Sequence, residues 1–142
     1  MLLKKLRKNI KVKDAYVVSN AKKFGIIPLF KTSTVEFAFG GLGTNSSFRF
    51  PKNLMYKRLR CPGGSSSGSA SSVFSNLIPI AIGTDTAGSV RIPSCWHGLV
   101  GFKPTYNNIS CEGVLPLSKS YDTVGTICRL SLIHISEPTR PY

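Results

Sequence analysis

The stretch Cys61–Pro93, CPGGSSSGSASSVFSNLIPIAIGTDTAGSVRIP, decides how this chain folds. It opens with a run of glycines and serines, turns apolar over NLIPIAIG, and closes on Asp85, Gly88, Ser89 and Arg91. Glycine and serine alone are typical of a flexible linker. A linker, however, does not run directly into an apolar segment that ends in a charge. The stretch therefore predicts packed structure rather than a spacer.

Two familiar glycine motifs fit this stretch poorly. A phosphate-binding P-loop needs a lysine directly after its second glycine, and no lysine follows Gly68 at that spacing. Gly64–Gly68 matches the G-x-S-x-G pattern of a hydrolase nucleophile elbow, which requires a strand leading into the serine. The preceding YKRLRCPG is basic and ends in proline and glycine. That context disfavours the elbow.

A site built on two serines fits better. Ser65 lies 24 residues before Ser89, so a helix leading away and a strand leading back would bring the two together. A serine hydroxyl attacks well only when a base takes its proton. A second hydroxyl can relay that proton if a stronger base, such as a neutral lysine, holds it. The small residues of TDTAGS leave backbone N–H groups open toward a developing oxyanion.

Periodicity and turn residues predict a few elements around this stretch. Asp14 is expected to cap a helix that runs to about Phe24 and stops at Gly25. Residues 40–64 are expected to be irregular, because Gly, Asn, Ser and Pro dominate them. The other expected elements are a short buried strand over GIIPLFK, a close-packed helix over Ser67–Asn76, and strands over Ile78–Gly83 and Gly98–Pro104.

The block GGSSSGSASSVFSNLIPIAIGTDTAGSVRIPS resembles the signature of the amidase signature family, the Ser–cis-Ser–Lys hydrolases. Upstream, DAYVVSNAKKFGIIPLFKTSTVEFAFGGLGTNSS resembles the family's helix, strand and K-T-N-x-x-E-F segment. Downstream, GLVGFKPTYNNISCEGVLPLSKSYDTVGTICR resembles its G-F-K-P-T to D-T-V-G-P-I-x-R stretch. The resemblance covers Leu3 to Arg129. It implies an α/β fold, with a mixed β-sheet core covered by helices, of which residues 1–129 form a partial domain.

The resemblance assigns unequal roles to the serines. It makes Ser89 the acyl-forming nucleophile and Ser65 the bridging serine, held through a cis peptide to its neighbour, with Ser66 in support. It implies no metal and no organic cofactor. The backbone N–H groups expected to form the oxyanion hole belong to Thr86, Ala87, Gly88 and Ser89.

The residues that flank the nucleophile have two interpretations. Asp85 and Arg91 are expected to hold the loop around Ser89, and the alternative is a surface salt bridge of little energetic value. Family members often carry glycine where this chain has Ser67 and Ala87. Both replacements are small, so they bear only on substrate fit.

A general-base lysine is the missing part of the pattern. Lys13, in KVKD, is the candidate within the chain, but the DAYVV that follows resembles a later helix of the family. The family also places a much longer segment between its lysine and its K-T-N stretch. The expectation is that the lysine lies upstream of Met1 in a longer natural chain. This 142-residue chain is therefore expected not to turn over amides by itself.

The last thirteen residues, LSLIHISEPTRPY (Leu130–Tyr142), do not belong to this pattern. They resemble the translated read-through of a sequencing-library adapter, so residues 130–142 are expected to be an artefactual tail. His134, which lies in it, is given no mechanistic role.

Composition supplies an alternative of another class. The net charge is +13, and residues 1–13 carry six basic side chains and no acidic one. Such a charge balance is also compatible with a basic nucleic-acid-binding module. This is the weaker interpretation, because the sequence contains no RNA-binding signature. A second basic cluster consists of Arg49, Lys52, Lys57, Arg58 and Arg60.

The remaining expectations concern compartment and partners. The four cysteines show no C-x-x-C spacing, which disfavours zinc and a disulfide framework and favours the cytoplasm or a reducing organelle lumen. No apolar run approaches the ~18 residues of a membrane span, and no signal peptide is seen. The expected partner is a small-molecule amide substrate. A component that resembles the A subunit of a transfer-RNA-dependent amidotransferase is the alternative within the family.

Overall fold

The computed structural model describes residues 13–46 and 49–130 of the chain. Their helices and strands follow one another in the order α1, α2, β1, α3, β2 and β3, with a 3-10 helix at Glu36–Ala38 between α1 and α2. The bounds are Tyr16–Lys23 for α1, Ser67–Phe74 for α2, Ile80–Asp85 for β1, Arg91–Trp96 for α3, Val100–Phe102 for β2 and Thr123–Cys128 for β3.

The three strands form one antiparallel sheet in the order β1–β3–β2. Gly83 of β1 lies opposite Gly125 of β3, and Val100 of β2 lies opposite Cys128 of β3. β3 is the central strand, and all but one of its residues are buried. The pattern around the signature stretch did not predict β3, because its place depends on pairing with two strands that lie far earlier in the chain.

The core lies where α2 meets the sheet. Its buried members come from α2, from β1 and β3, and from the residue before α3: Ala70, Val73, Ala81, Val90 and Ile127. Most of these side chains are small, so α2 packs close to β1 and β3. The core thus places the N-terminus of α2 beside the loop that links β1 to α3.

Three of the four serines of α2, Ser67, Ser69 and Ser71, are buried, and their hydroxyls are hydrogen bonded. Ser69 Oγ donates to the carbonyl oxygen of Ile82 at 2.9 Å, which ties α2 to β1. Ser71 Oγ lies 3.2 Å from Nε2 of His97. Buried hydroxyls are tolerated when each finds such a partner. The prediction of packed helix over this run is confirmed, with α2 ending at Phe74 rather than Asn76.

The other predicted helices and strands agree with the structure to different degrees. β1 starts and ends two residues later than predicted, and β2 is shorter than Gly98–Pro104. α1 is present and Gly25 follows it with a φ of 80°, but the predicted cap is wrong. Ala15 occupies the N-cap position without a side-chain bond, because the Asp14 carboxylate pairs with Lys22 at 2.6 Å instead.

The predicted strand over GIIPLFK is wrong for the described chain. Residues 26–30 form neither helix nor strand, and four of their five side chains are large apolar groups that stay exposed. A strand needs a neighbour to accept and donate its ladder hydrogen bonds. Among the described residues, none pairs with this segment.

His97 lies buried between α2 and α3. Its Nδ1 is 2.9 Å from the carbonyl oxygen of Pro93, and its ring is tilted by 60° against that of Phe74, with centroids 5.6 Å apart. Because a carbonyl only accepts, Nδ1 is the donor to Pro93. Nε2 faces the Ser71 hydroxyl, which also donates to the carbonyl oxygen of Lys52 at 3.4 Å. Burial lowers the pKa of His97, although the carbonyl oxygens of Pro93 and Lys52 partly oppose it.

Replacing Gly68 by alanine is expected to destabilise the fold. A Cβ at Gly68 would lie 2.5 Å from the backbone nitrogen of Ser33 and 2.7 Å from its oxygen, so α2 would have to move away from that segment. We expect the free energy of unfolding in urea to fall by about 1–3 kcal/mol. Gly41→Ala is the matched control, because its Cβ would make only an ordinary 3.6 Å contact with Ile92. Equal losses for both variants would refute the close-approach argument.

The stability of the chain is expected to fall as the pH drops from about 7 to about 5, through the ordinary pKa of histidine near 6.5. Because the pKa of His97 is lowered in the folded state, the unfolded state binds the proton first as the pH falls. The free energy of unfolding therefore decreases by up to about 1.4 kcal/mol per pH unit. Urea unfolding of the chain and of His97→Gln at several pH values measures this. His97→Gln should flatten the dependence, whereas His134→Gln should retain it. An unchanged slope in His97→Gln would contradict the assignment.

Candidate active site

The serines that precede α2 lie in a buried turn. Ser65 and Ser66 are almost fully removed from solvent. The peptide bond between Gly64 and Ser65 is cis. The turn is held by its backbone: the Val35 N–H donates to the oxygen of Ser65 at 3.1 Å, and the Gly64 N–H donates to the oxygen of Gly41 at 2.8 Å.

The loop between β1 and α3 carries Ser89, which is partly exposed. Its turn requires Gly88, whose φ of 124° lies in a region that side chains rarely adopt. A Cβ there would also lie 2.9 Å from Cδ1 of Ile92. The loop can therefore approach α3 closely only with glycine at this position.

Ser66 joins the two serine segments. Its N–H donates to the carbonyl oxygen of Ser89 at 3.1 Å. Its hydroxyl accepts from the N–H of Thr84 at 3.3 Å and lies 3.4 Å from the oxygen of the same residue, to which it donates. The two segments thus meet at the end of β1, as a helix leading away and a strand leading back predict.

Asp85, the last residue of β1, organises the loop from inside. Its fully buried carboxylate accepts from the N–H groups of Gly88 at 2.7 Å, Val90 at 3.1 Å and Arg91 at 3.3 Å. The Arg91 guanidinium adds two bonds, from Nε at 3.1 Å and Nη2 at 3.0 Å. Burial by itself would raise the pKa of Asp85, but these hydrogen bonds outweigh it and the pKa is lowered. The pair is therefore more than a surface salt bridge.

The expected oxyanion donors differ in what they contact. The Gly88 N–H, counted among them from the sequence, donates to Oδ1 of Asp85 at 2.7 Å. The N–H groups of Thr86, Ala87 and Ser89 have no hydrogen-bond partner among the residues that the structure describes. These three groups are free to bind a ligand oxygen.

Lys13, the candidate base in the sequence, lies at the surface in an ion pair. Its side chain is 87% exposed and its Nζ pairs with the Glu112 carboxylate at 3.2 Å. Within the described residues, no side-chain hydrogen bond reaches the hydroxyl of Ser65 or Ser89, from a lysine or from any other residue.

The sequence pattern did not identify Asp122 as part of this region. The Thr86 hydroxyl donates to Oδ1 of Asp122, the residue just before β3. Asp122 lies 36 residues from Thr86, and no fixed spacing links the two. The available signal in the sequence is a lone aspartate that precedes a run of alternating β-branched residues. Such a signal does not identify the hydrogen-bond partner of the aspartate.

Comparison with known proteins identifies the family. The sequence model of one family, described as Amidase, matches residues 3–130. The chain belongs to the amidase family. The predicted tail spans residues 130–142, and beyond Leu130 it lies outside the described residues. The family match ends at residue 130.

Two curated relatives illustrate the similarity within the amidase family. The chain is 42% identical over 120 residues to the A subunit of glutamyl-tRNA(Gln) amidotransferase from Oenococcus oeni, which covers 84% of this chain and 24% of the relative. It is 44% identical over 112 residues to the protein of the same name from Streptococcus pneumoniae, covering 79% of this chain and 23% of the relative. The chain thus spans about a quarter of these relatives.

Solved structures confirm the fold as partial amidase-type α/β. A crystal structure of an amidase superposes with a TM-score of 0.78 at 40% identity, over 82% of this chain and 26% of that one. Allophanate hydrolase from Kluyveromyces lactis gives 0.79 at 39% identity, over 83% and 19%. Peptide amidase from Stenotrophomonas maltophilia gives 0.75 at 36% identity, over 82% and 25%.

Two further observations bear on partners. In the described part of the chain, no helix has the length and apolarity that crossing a bilayer requires. The second basic cluster lies on the surface, where the Arg60 guanidinium stacks 5.3 Å from the centroid of the Tyr56 ring.

Asp85 is expected to contribute more to stability than Arg91. Asp85→Asn would present amide hydrogens to buried N–H groups, and unsatisfied donors of this kind cost about 2–3 kcal/mol in total. The Arg91 side chain is 53% exposed, so Arg91→Gln should cost about 1 kcal/mol or less. Urea unfolding of both variants measures the two losses. A loss in Arg91→Gln that equals the loss in Asp85→Asn would show that the guanidinium, and not the backbone amides, carries the interaction.

Proposed function

We propose that this chain carries the acylation site of an enzyme that cleaves carbon–nitrogen amide bonds. The observation that supports this most is the contact between the two serine segments, in which the Ser66 N–H meets the carbonyl oxygen of Ser89. The contact lies within residues 3–130, which match the amidase family. The N–H groups of Thr86, Ala87 and Ser89 beside it have no partner among the described residues.

In the proposed reaction, the Ser89 oxygen attacks the carbonyl carbon of the amide while Ser65 takes its proton and passes its own to a general base. The negative charge of the tetrahedral intermediate falls on the former carbonyl oxygen, which the N–H groups of Thr86, Ala87 and Ser89 stabilise. The C–N bond then breaks, the nitrogen receives the proton, and the amine leaves. Water hydrolyses the acyl-enzyme on Ser89 by the same proton path in reverse.

The supporting residues of this site have distinct tasks. Ser66 sets the distance between the two serine segments, because its backbone binds one and its hydroxyl binds the end of β1. Asp85 holds the loop through its hydrogen bonds to Gly88 and Arg91, and the three N–H groups stay without a partner among the described residues. The reaction needs no metal and no organic cofactor.

Transfer of the acyl group to an acceptor other than water is the second candidate function. The relatives at 42–44% identity favour it, because their name is that of an amidotransferase component. The acylation of Ser89 is common to hydrolysis and transfer. The two differ only in which nucleophile reaches the acyl-enzyme, and the residues described here serve both.

We expect the purified 142-residue chain to release no ammonia from primary amides above background. No described residue takes a proton from Ser65, and a general base typically contributes ~10²–10⁴-fold to the rate. Amide turnover by the purified chain that Ser89→Ala abolishes would show that a base does lie within these 142 residues.

Activity should appear when the chain is placed in a complete frame. In a chimera, residues 3–129 replace the matching segment of peptide amidase from Stenotrophomonas maltophilia, and ammonia release from primary amides is measured. We expect turnover, labelling by a fluorophosphonate probe, and loss of both in Ser89→Ala. Ser120→Ala, an exposed serine, is the matched control and should retain both.

The opposite results have a clear meaning. Turnover that survives Ser89→Ala would overturn the assignment of the nucleophile. A folded chimera without labelling, together with salt-dependent binding of nucleic acid by the chain, would favour the basic binding module instead.

A further inference from the structure

Asp122 sits where the strand β3 begins and gathers donors from two separate parts of the chain. Its carboxylate is buried and accepts from the N–H of Leu117 at 2.8 Å and from the N–H of Ser118 at 3.0 Å. These bonds close its own turn. The remaining donor is the hydroxyl of Thr86, which comes from the loop between β1 and α3.

Thr86 is constrained through its backbone and through its side chain. The backbone of Thr86 follows Asp85, which is anchored by its own five hydrogen bonds. The side chain is anchored by Asp122. An ionised carboxylate accepts hydrogen bonds and donates none, so the Thr86 hydroxyl must act as the donor. A β-branched side chain held in this way has one χ1 rotamer, which restricts the backbone that carries it.

We propose that Asp122 is a positioning residue for the acylation reaction, acting through the Thr86 hydroxyl to aim the Thr86 N–H at the oxyanion. This inference rests on the proposed function. It adds a residue outside the signature stretch to the site, and it explains why the turn before β3 lies against the loop that carries Ser89. The bond also keeps the Thr86 hydroxyl turned toward Asp122.

A purely structural role for Asp122 predicts different results. If the carboxylate served only its own turn, the loss of its bonds to Leu117 and Ser118 would matter and the loss of the Thr86 hydroxyl would not. Thr86→Val removes the hydroxyl, keeps the side-chain shape and leaves that turn intact. Thr86→Ser keeps the hydroxyl and is the conservative control. Asp122→Asn replaces one acceptor oxygen by a donor that faces other donors.

The first measurement needs no activity. In the 142-residue chain, three-bond couplings of the Thr86 γ-methyl carbon report whether χ1 has one value. We expect a single rotamer in the unsubstituted chain and rotamer averaging in Asp122→Asn. Averaging in the unsubstituted chain, or one rotamer in both, would overturn the positioning role whatever the catalytic activity is.

The second measurement uses the chimera. Thr86→Val and Asp122→Asn should each lower kcat by at least about tenfold with KM nearly unchanged, since misaimed oxyanion donors act on the transition state. Thr86→Ser should retain kcat within about threefold. The double variant should fall no further than the worse single one, because both changes break the same bond.

The outcomes separate this inference from the proposed function. Additive losses, or full kcat in Thr86→Val, would refute the positioning role while Ser89→Ala still abolishes turnover. Turnover that ignores Ser89→Ala would refute the proposed function, and the rotamer measurement would still decide whether Asp122 orders Thr86.

Discussion

The buried carboxylate of Asp85 holds the loop that presents Ser89. It lies at the end of β1, without contact to solvent, and it satisfies three backbone N–H groups of the following loop as well as the Arg91 guanidinium. A buried charge is stable only when surrounded by donors in this way. Because those donors span Gly88 to Arg91, the carboxylate shapes the whole turn that presents Ser89.

The serine-rich helix α2 supplies the other half of the site by packing rather than by charge. Its side chains are small enough to lie against β1 and β3, and its hydroxyls bond to neighbouring carbonyl groups such as that of Ile82. Ser66, just before α2, then reaches Ser89 through its backbone. Close packing and hydrogen bonding of α2 therefore bring the backbone of Ser66 into contact with that of Ser89.

Prediction from the sequence worked best where the signal is local. The helix α2, the glycine stop after α1 and the irregular stretch before the signature all follow from nearby residues. The structure confirms the first two, and the third for the described residues 40–46 and 49–64. It failed for Asp14, whose carboxylate finds Lys22, and for the strand over GIIPLFK, which has no partner strand in the described chain. It also missed β3, whose place in the sheet depends on β1 and β2.

The sequence by itself determined the family, the two candidate serines and the small residues that let α2 and the Ser89 loop pack closely. Only the tertiary structure decided which groups are available for chemistry. It paired the Gly88 N–H with Asp85, placed Lys13 at the surface beside Glu112, and joined Thr86 to Asp122. The physical reason is that a hydrogen-bond donor has one best partner, and that partner is set by contacts between segments far apart in the chain.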